Sequence, residues 1–514
     1  MNGALSLLQT LVNGGIDTCF TNPGTSEMHF VAAVDQVPQL RTILCLFEGV
    51  CTGAADGYAR MTGNPAATLL HLGPGLGNGF ANLHNARRAH SPLVNIVGDH
   101  ATYHLQYDAP LTSDIVSVAK PVSAWIRSCR TAADVPVAAA AAIVAARRTP
   151  GHIATLILPG DCAWNESAAP ATQFSVPAPP TVDEAAIQRT AALLRNGKQS
   201  VFCVGGPAAT EAGMRLAARI CQTTGARLVA QRASARMKLG ANTPIVERVP
   251  YAVTQALKLL ENAEQMILVG APEPVAFFAY PNMPSRMSPP DALLHPFATA
   301  EQDVIGALDA LAEEVGAGHE VGPVHERVCP DLPTGELTSE KIWQALARLL
   351  PEESVIADES ITASWGSAKW MGGAHAHDWL PVMGGSIGQG IPVATGAAVA
   401  CPGRKVVNTQ ADGSAMYTLQ GLWTQAREEL DVVTILFSNR AYAILQGELQ
   451  RVGADEQSRK AQEMLDLSNP TIQWTALARG MGVEASRATT AEELSDQLAA
   501  ALHNRGPHLI EAVL

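Results

Sequence analysis

The sequence contains no CxxC pair. Its nine cysteines (Cys19, Cys45, Cys51, Cys129, Cys162, Cys203, Cys221, Cys329, Cys401) are scattered over 514 residues. This excludes a zinc ribbon and a disulfide framework, and it points to a reducing, cytoplasmic setting. Charge is sparse too. Charged residues make up 16% of the chain, and 35 Lys and Arg against 48 Asp and Glu leave a net charge of −13. Duplex nucleic acid is therefore not an expected partner, because phosphate binding needs clustered cations. Long apolar runs are missing: the longest, Val137 to Ala146, is mostly alanine and ends at Arg147-Arg148. It falls short of the roughly 20 residues that span a bilayer, so it reads as a buried helix and no membrane partner is expected. The opening MNGALSLLQTLVNGG has no basic stretch ahead of its apolar residues, and it reads as an amphipathic helix rather than a secretion signal. No GxGxxG with an acidic residue downstream follows a first strand, which argues against a nicotinamide dehydrogenase.

What is present is a globular composition, 47% apolar, in a chain long enough for about three domains. Two stretches poor in periodicity, Ser167 to Pro180 and Val315 to Thr334, are rich in Pro with Ala or Gly. They divide the chain into expected domains at 1–166, 181–314 and 335–514. Each part alternates short apolar runs with helical patterns. Examples are Ala67–Leu70, Leu93–Val97 and Ile153–Leu158 in the first, Ser200–Val204 and Met266–Val269 in the second, and Ser354–Ala357, Lys405–Asn408 and Val432–Phe437 in the third. Such runs, ending at Gly, Asp or Asn ahead of a helix, predict an α/β fold of three doubly wound parallel sheets. Ligands of such sheets sit at the carboxyl ends of the strands.

The most specific chemistry lies in the third part. Lys405–Asn408 leads into Ala411-Asp412-Gly413-Ser414, a helical stretch follows, and Val432–Phe437 ends at Ser438-Asn439. One helix and one strand separate Asp412 from Asn439, so both emerge at one sheet edge on adjacent strands. A carboxylate and an amide oxygen there suit Mg2+, which takes few protein oxygens and completes its octahedron with phosphate and water. Gly413 and Ser414 open a helix and offer N–H groups, and a hydroxyl, to a diphosphate.

This pattern resembles the GDGS…NN motif of the thiamine-diphosphate enzymes that include benzoylformate decarboxylase and acetolactate synthase. Ala411 and Ser438 depart from it. The resemblance implies thiamine diphosphate and Mg2+ as cofactors, with Asp412, Asn439 and the carbonyl of Ala441 as metal ligands and Tyr442 beside the cofactor. Ala411 tests the turn, since alanine resists a positive φ where glycine does not. A second segment, Leu46-Phe47-Glu48-Gly49 followed by Ala55-Asp56-Gly57-Tyr58-Ala59-Arg60, is similar to the family's catalytic glutamate and the helix after it, which makes Glu48 the cofactor-activating carboxyl. Gly384-Gly385-Ser386-Ile387-Gly388 resembles the segment that bends the cofactor, with Gly385 against it and Ile387 as the apolar wedge. Asp358 to Thr362 resembles a segment near the diphosphate.

On the substrate side, Asn22-Pro23-Gly24-Thr25-Ser26-Glu27 resembles the NPGSNE loop of benzoylformate decarboxylase. That places Pro23 and Gly24 at the cofactor and Thr25 at a substrate-contacting position. His71 matches that enzyme's active-site histidine as a proton shuttle. The Gly73-Pro74-Gly75 that follows looks like acetolactate synthase. His100 and His104 follow the next strand and either face the substrate or lie in a solvated loop. The Gly270-Ala271-Pro272 turn is followed by Phe277, Phe278 and Tyr280, with no histidine. No arginine-rich FAD signature is present, so FAD is not expected. The resemblance implies a lyase on small 2-oxo acids, acting in a homodimer or homotetramer whose active sites lie between subunits. The alternatives are an acetolactate-synthase-like carboligase without FAD and a non-catalytic homologue, the latter disfavoured by the intact Glu48.

Overall fold

A computed structural model describes residues 1–453 and 458–514. The first sheet holds β1 (Thr18–Asn22), β2 (Arg41–Leu44), β3 (Ala66–Leu70), β4 (Leu93–Asp99), β5 (Trp125–Ser128) and β6 (Ile153–Pro159), all parallel, in the order β2-β1-β3-β4-β6-β5. Alternate residues along each strand point to opposite faces. Thus Cys19, Leu69, Val94 and Leu156 enter one apolar cluster, while Phe20, Leu70, Val97 and Ile157 enter another. Both faces are covered, which is why these strands read as continuous apolar runs.

Next in the chain come β7 (Ser200–Val204), β8 (Arg227–Ala230), β9 (Met237–Leu239), β10 (Glu247–Arg248), β11 (Gln265–Val269) and β12 (Leu293–Ala298). All but β9 form the second parallel sheet, in the order β10-β8-β7-β11-β12. The third sheet holds β13 (Val355–Glu359), β14 (His377–Pro381), β15 (Val406–Ala411), β16 (Val432–Ser438), β17 (Glu484–Ala488) and β18 (His508–Val513), with β9 added at its edge. Its order is β17-β18-β16-β15-β13-β14-β9, and β9 runs antiparallel to β14, pairing Met237 with Trp379 and Leu239 with His377. The fold is thus the expected three-sheet α/β architecture, with one antiparallel edge strand lent to the third sheet by the segment that builds the second.

That loan is reinforced by side chains. Arg236 donates Nε to Oδ1 of Asp378 at 2.7 Å and Nη1 to the carbonyl of Met61 at 2.8 Å, while Arg404 donates to the other Asp378 oxygen at 2.6 Å. One arginine therefore ties all three parts together. These cations hold the Asp378 carboxyl below the usual range against the opposing effect of its burial.

The first and third sheets meet through two helices, Glu48–Thr62 and Gly390–Ala400. Their contact depends on glycine. A Cβ at Gly396 would lie 1.8 Å from the carbonyl oxygen of Ala54, and one at Gly57 would lie 2.2 Å from that of Val393. The backbones approach to a distance no side chain permits, and a single apolar cluster runs through both sheets. The alanine-rich run forms the helix Val135–Arg147, with Ala138, Ala142, Ile143 and Ala146 buried against the first sheet. Among the described residues no helix is long and apolar enough to cross a membrane. Neither Pro-rich stretch contains a helix or a sheet strand.

Candidate active site

The sequence-expected residues of the first part all follow parallel strands at one sheet edge. Thr25 follows β1, Glu48 follows β2, His71 follows β3 and His100 follows β4. Glu48 opens the helix Glu48–Thr62 and is 6% exposed. Its Oε2 accepts from Nδ2 of Asn78 at 3.0 Å, and a Cβ on Gly75 would come within 3.0 Å of Oε1. His71 caps the helix Leu72–Ala89, and its Nδ1 lies 2.8 Å from Oε2 of Glu27. Glu27 is buried, accepts the Gly24 amide at 2.7 Å on Oε2 and accepts the Ser26 hydroxyl at 2.5 Å on Oε1. Ser26 Oγ also lies 3.3 Å from His71 Nδ1. Thr25 is exposed, so it is Ser26, not Thr25, that the loop brings to His71.

Two glycines make room for this cluster. A Cβ at Gly24 would meet the His71 ring at 2.1 Å, and one at Gly98 would meet Glu27 Oε1 at 1.7 Å. His100 and His104 form a tilted ring pair 5.5 Å apart, extended by Tyr107 at 5.7 Å from His104. Among the described residues His100 Nε2 is buried without a hydrogen-bond partner, while His104 is exposed.

At the third sheet's carboxyl edge, Asp412 follows β15 and Asn439 follows β16, and the two strands are adjacent and parallel. Asp412 is 2% exposed. Its Oδ1 accepts from the Gly413 amide at 2.8 Å and its Oδ2 from the Arg440 amide at 2.6 Å, which joins the two strand-end loops. Burial pushes its carboxyl above the usual range, opposed by those amides. Asn439 is exposed, and its Oδ1 accepts from the Ala441 amide at 3.1 Å. Ala411 has a φ of −83° and a ψ of 145°, so the turn asks nothing of it that alanine resists. The Ser414 hydroxyl donates to the Ala411 carbonyl at 3.1 Å and accepts from Gln410 at 2.9 Å. Tyr442 caps the helix Ala443–Arg451, and a Cβ at Gly413 would strike its ring at 2.5 Å.

The segment holding Gly385 and Ile387 is fixed by Glu359, a residue whose role the sequence left unassigned. This buried carboxylate accepts from the amides of Gly388 (2.8 Å), Gln389 (3.1 Å) and Gly390 (2.8 Å) and from Nε2 of Gln410 (2.9 Å). Three of those donors are at the start of the helix Gly390–Ala400, where a negative charge is favoured. Asn82 and Asn85 of the first part hold the carbonyls of Gly388 (3.1 Å) and Ser386 (2.8 Å). Gly385 itself has a φ of +79° and abuts Phe277, whose ring a Cβ would meet at 2.4 Å.

Left-handed residues that are not glycine mark the same edges: Leu72 (φ 50°) after His71, Ile361 (φ 52°) after the β13 end, and Arg440 (φ 54°) after Asn439. That conformation costs an L-residue roughly 1–2 kcal/mol and persists where surrounding structure dictates it, often at functional sites. The structure thus gathers two clusters, Glu27–His71–Glu48 on the first sheet and Asp412–Asn439–Tyr442 on the third. Among the described residues no hydrogen bond links them, and no group of three or more His, Cys, Asp and Glu side chains is arranged to hold a metal. The residues that sequence reasoning missed are Glu27, Asn78 and Glu359. Glu27 had a local signal, since it follows Gly24 by three positions and returns its carboxylate to that amide.

Comparison with known proteins places this geometry. Residues 1–118 match the family described as thiamine pyrophosphate enzyme, N-terminal TPP binding domain, and residues 365–512 match the corresponding C-terminal TPP binding domain. The chain is 52% identical, over its whole length and 99% of the relative's, to a Mycobacterium tuberculosis protein with the provisional name acetolactate synthase large subunit IlvX. It is 30% identical to benzoylformate decarboxylase of Pseudomonas aeruginosa, over 97% of this chain and 96% of that one. The solved structure of a thiamine diphosphate-dependent 4-hydroxybenzoylformate decarboxylase from Rhodococcus jostii is similar with a TM-score of 0.86 at 25% identity, covering 99% of this chain and 98% of that one.

Proposed function

Because the chain belongs to the thiamine pyrophosphate enzyme family, we propose that it is a lyase that takes a 2-oxo acid and a proton to an aldehyde and CO2. The observation that carries this reading is a pair of buried carboxylates, Glu48 on one sheet edge and Asp412 on another, neither paired with a cationic side chain among the described residues.

The residues fit the cofactor. Asp412 is a desolvated carboxylate whose partners are amides, the Gly413 turn has no room for a side chain, and the available ligands are all hard oxygens. That set suits Mg2+ held by the Asp412 carboxylate, the Asn439 amide oxygen and the Ala441 carbonyl, with diphosphate oxygens and water completing the shell. Gly413 would give the diphosphate a turn free of side chain and Ser414 its backbone N–H, since the Gly413 amide and the Ser414 hydroxyl are already engaged. Pro23, Gly24, Gly385, Ile387 and Tyr442 are the residues that would line the bound cofactor. When bound, thiamine diphosphate supplies a thiazolium ring that accepts the electron pair left as the carboxylate departs.

The chain's own groups then divide the work. Glu48 holds and exchanges a proton at a buried carboxyl that Asn78 orients. His71, with Nδ1 committed to Glu27, presents Nε2 as the proton donor to product carbon. Thr25, exposed on the same loop, contacts substrate. The two clusters, not joined by a hydrogen bond among the described residues, complete each other across a homodimer, itself paired into a tetramer. Changing Glu48→Gln tests the reading. We expect turnover of every accepted 2-oxo acid to fall by at least about 100-fold with thiamine diphosphate still bound; unchanged turnover refutes it.

The provisional name of the 52% identical relative supports a second reading, an acetolactate-forming carboligase. Product analysis with pyruvate separates the two, because acetolactate without acetaldehyde would replace the lyase reading.

A further inference from the structure

The helix that follows the proposed metal loop has little hold on its own part of the chain. It runs from Ala443 to Arg451, and none of its nine residues is buried. Among the described residues, none of its apolar side chains enters a hydrophobic cluster. A helix this short is not stable in water through propensity alone. The second part of the chain supplies the missing contact. The Tyr251 hydroxyl donates to Oε1 of Glu448 at 3.0 Å, and the Tyr280 hydroxyl donates to Oε2 at 3.0 Å. Arg451, one turn further on, also donates to Oε1. Both oxygens of the Glu448 carboxylate are therefore engaged.

The tyrosines are placed by the ends of second-sheet strands. Tyr251 follows β10, and Tyr280 lies in the loop after β11. The Tyr251 ring centroid is 5.6 Å from that of Phe277, and Phe277 abuts Gly385. The guanidinium carbon of Arg451 lies 5.5 Å from the Tyr251 ring centroid, a cation–π contact. One aromatic group thus touches two segments of the third part, the one that carries Gly385 and Ile387 and the helix after the metal loop.

The other end of that helix meets the cofactor residues. Tyr442 caps it, and the Tyr442 ring fills the place that a Gly413 side chain would take. The Tyr442 amide donates to the Leu465 carbonyl at 2.9 Å, and the Arg440 carbonyl accepts from the Leu467 amide at 2.8 Å. The Ala441 carbonyl, a proposed Mg2+ ligand, lies between these two ties. Glu448 is about 9 Å along the helix axis from Tyr442, so the clamped end and the ligand end belong to one short rod. Mg2+ demands near-ideal octahedral geometry, and a tilt of the rod displaces a ligand. We propose that Tyr251, Tyr280 and Glu448 form a clasp that positions the Ala441 carbonyl and Tyr442, so that retention of thiamine diphosphate depends on two tyrosines outside both cofactor-binding domains. The inference rests on the cofactor reading above and not on the choice of reaction. All three are positioning residues, acting through the helix.

The test is release of thiamine diphosphate from the Mg2+-loaded protein on dilution, followed by tryptophan fluorescence. We expect Tyr251→Phe combined with Tyr280→Phe to speed release by about tenfold or more, the effect of losing two hydrogen bonds to a charged group. Each single change should do less, and Glu448→Gln, which keeps one acceptor oxygen, should fall between native and the double variant. The Mg2+ concentration for half-saturation should rise in step, while affinity for thiamine, which carries no diphosphate, stays at the native value. The unfolding midpoint of the apoprotein should also stay near native. Release at the native rate overturns the proposal. So does equal weakening of thiamine and thiamine diphosphate together with a lowered apoprotein midpoint, the mark of a merely structural role. If the native protein binds no thiamine diphosphate, the cofactor reading fails, and hydrogen exchange of the Ala443–Arg451 amides in the apoprotein decides the clasp by itself. Faster exchange in the double variant than in the native protein upholds the clasp, and equal exchange overturns it.

Discussion

Nδ1 of His71 and Oε2 of Glu27 lie 2.8 Å apart, and the same carboxylate oxygen accepts the Gly24 amide. Glu27 thereby fixes both the imidazole's tautomer and its direction, leaving Nε2 as the free nitrogen.

Removing that restraint should cost catalysis more than binding. For Glu27→Gln we expect kcat on the best 2-oxo acid to fall by about 10- to 100-fold, the range seen when a group that orients an active histidine is lost, with thiamine diphosphate affinity within a few-fold of native. Gly98→Ala should reproduce the loss, because its Cβ would lie 1.7 Å from Glu27 Oε1. Steady-state kinetics beside a cofactor titration decide; an unaffected kcat in both variants removes Glu27 from the mechanism.

Asp412 offers a pH test. Burial raises its carboxyl, and a metal ligand must be deprotonated to bind. Mg2+-dependent cofactor affinity should therefore fall as pH drops through that raised value, at higher pH than an ordinary aspartate would give. Asp412→Asn should lower affinity by about tenfold or more and flatten the pH dependence. The measurement is cofactor binding with and without chelator. Indifference to chelator argues against the metal.

Glu359 is expected to act on the cofactor through the Gly384–Gly390 segment. Its two oxygens serve four donors, whereas glutamine would turn an NH2 toward some of them. We expect Glu359→Gln to destabilise the fold by about 1–3 kcal/mol and to weaken cofactor binding. Urea unfolding of the apoprotein checks the first effect and cofactor titration the second.

Legibility in the sequence followed physical range. Strand ends, glycine turns and the Asp412–Asn439 spacing are local features, and the structure assembles the strands where the apolar runs lie. The antiparallel β9 was not legible. Three residues carry no periodicity, and the partner strand lies far along the chain, so only tertiary packing selects it. Phe277 against Gly385 was hidden for the same reason. Glu359 was visible as a letter but not as a cap, because its donors lie about thirty positions downstream.

His377 links pH to stability. Sealed in β14, it has Nε2 without a partner among the described residues and Nδ1 2.7 Å from the His375 carbonyl. Burial depresses its pKa to about 4, despite the opposing charges of Asp378 and Glu353. The unfolded chain therefore binds the proton first. Stability is complete above pH 6.5 and is lost as pH falls toward 4, by about 3 kcal/mol in all. His377→Asn, which keeps a donor near Nδ1, should flatten the pH 7 to 5 slope of unfolding free energy. An unchanged slope means that other groups control acid stability.

Gly57 tests the helix contact. Gly57→Ala places a methyl 2.2 Å from the Val393 carbonyl, and overpacking should cost about 1–3 kcal/mol or more. Thermal unfolding should show a lower midpoint, and cofactor affinity should fall with it. A midpoint at the native value would mean that the helices part readily.

The glycine-bonded helices also divide the chain by its freedom to diverge. Residues such as Thr25 and Phe277 sit on loops beyond strand ends, so exchanging them is expected to leave the frame in place. A methyl group at Gly57 or Gly396 would instead shift one sheet against the other and displace every strand-end residue at once. New specificities in this architecture are therefore open to single changes at the rim, while the seam between the helices admits almost none.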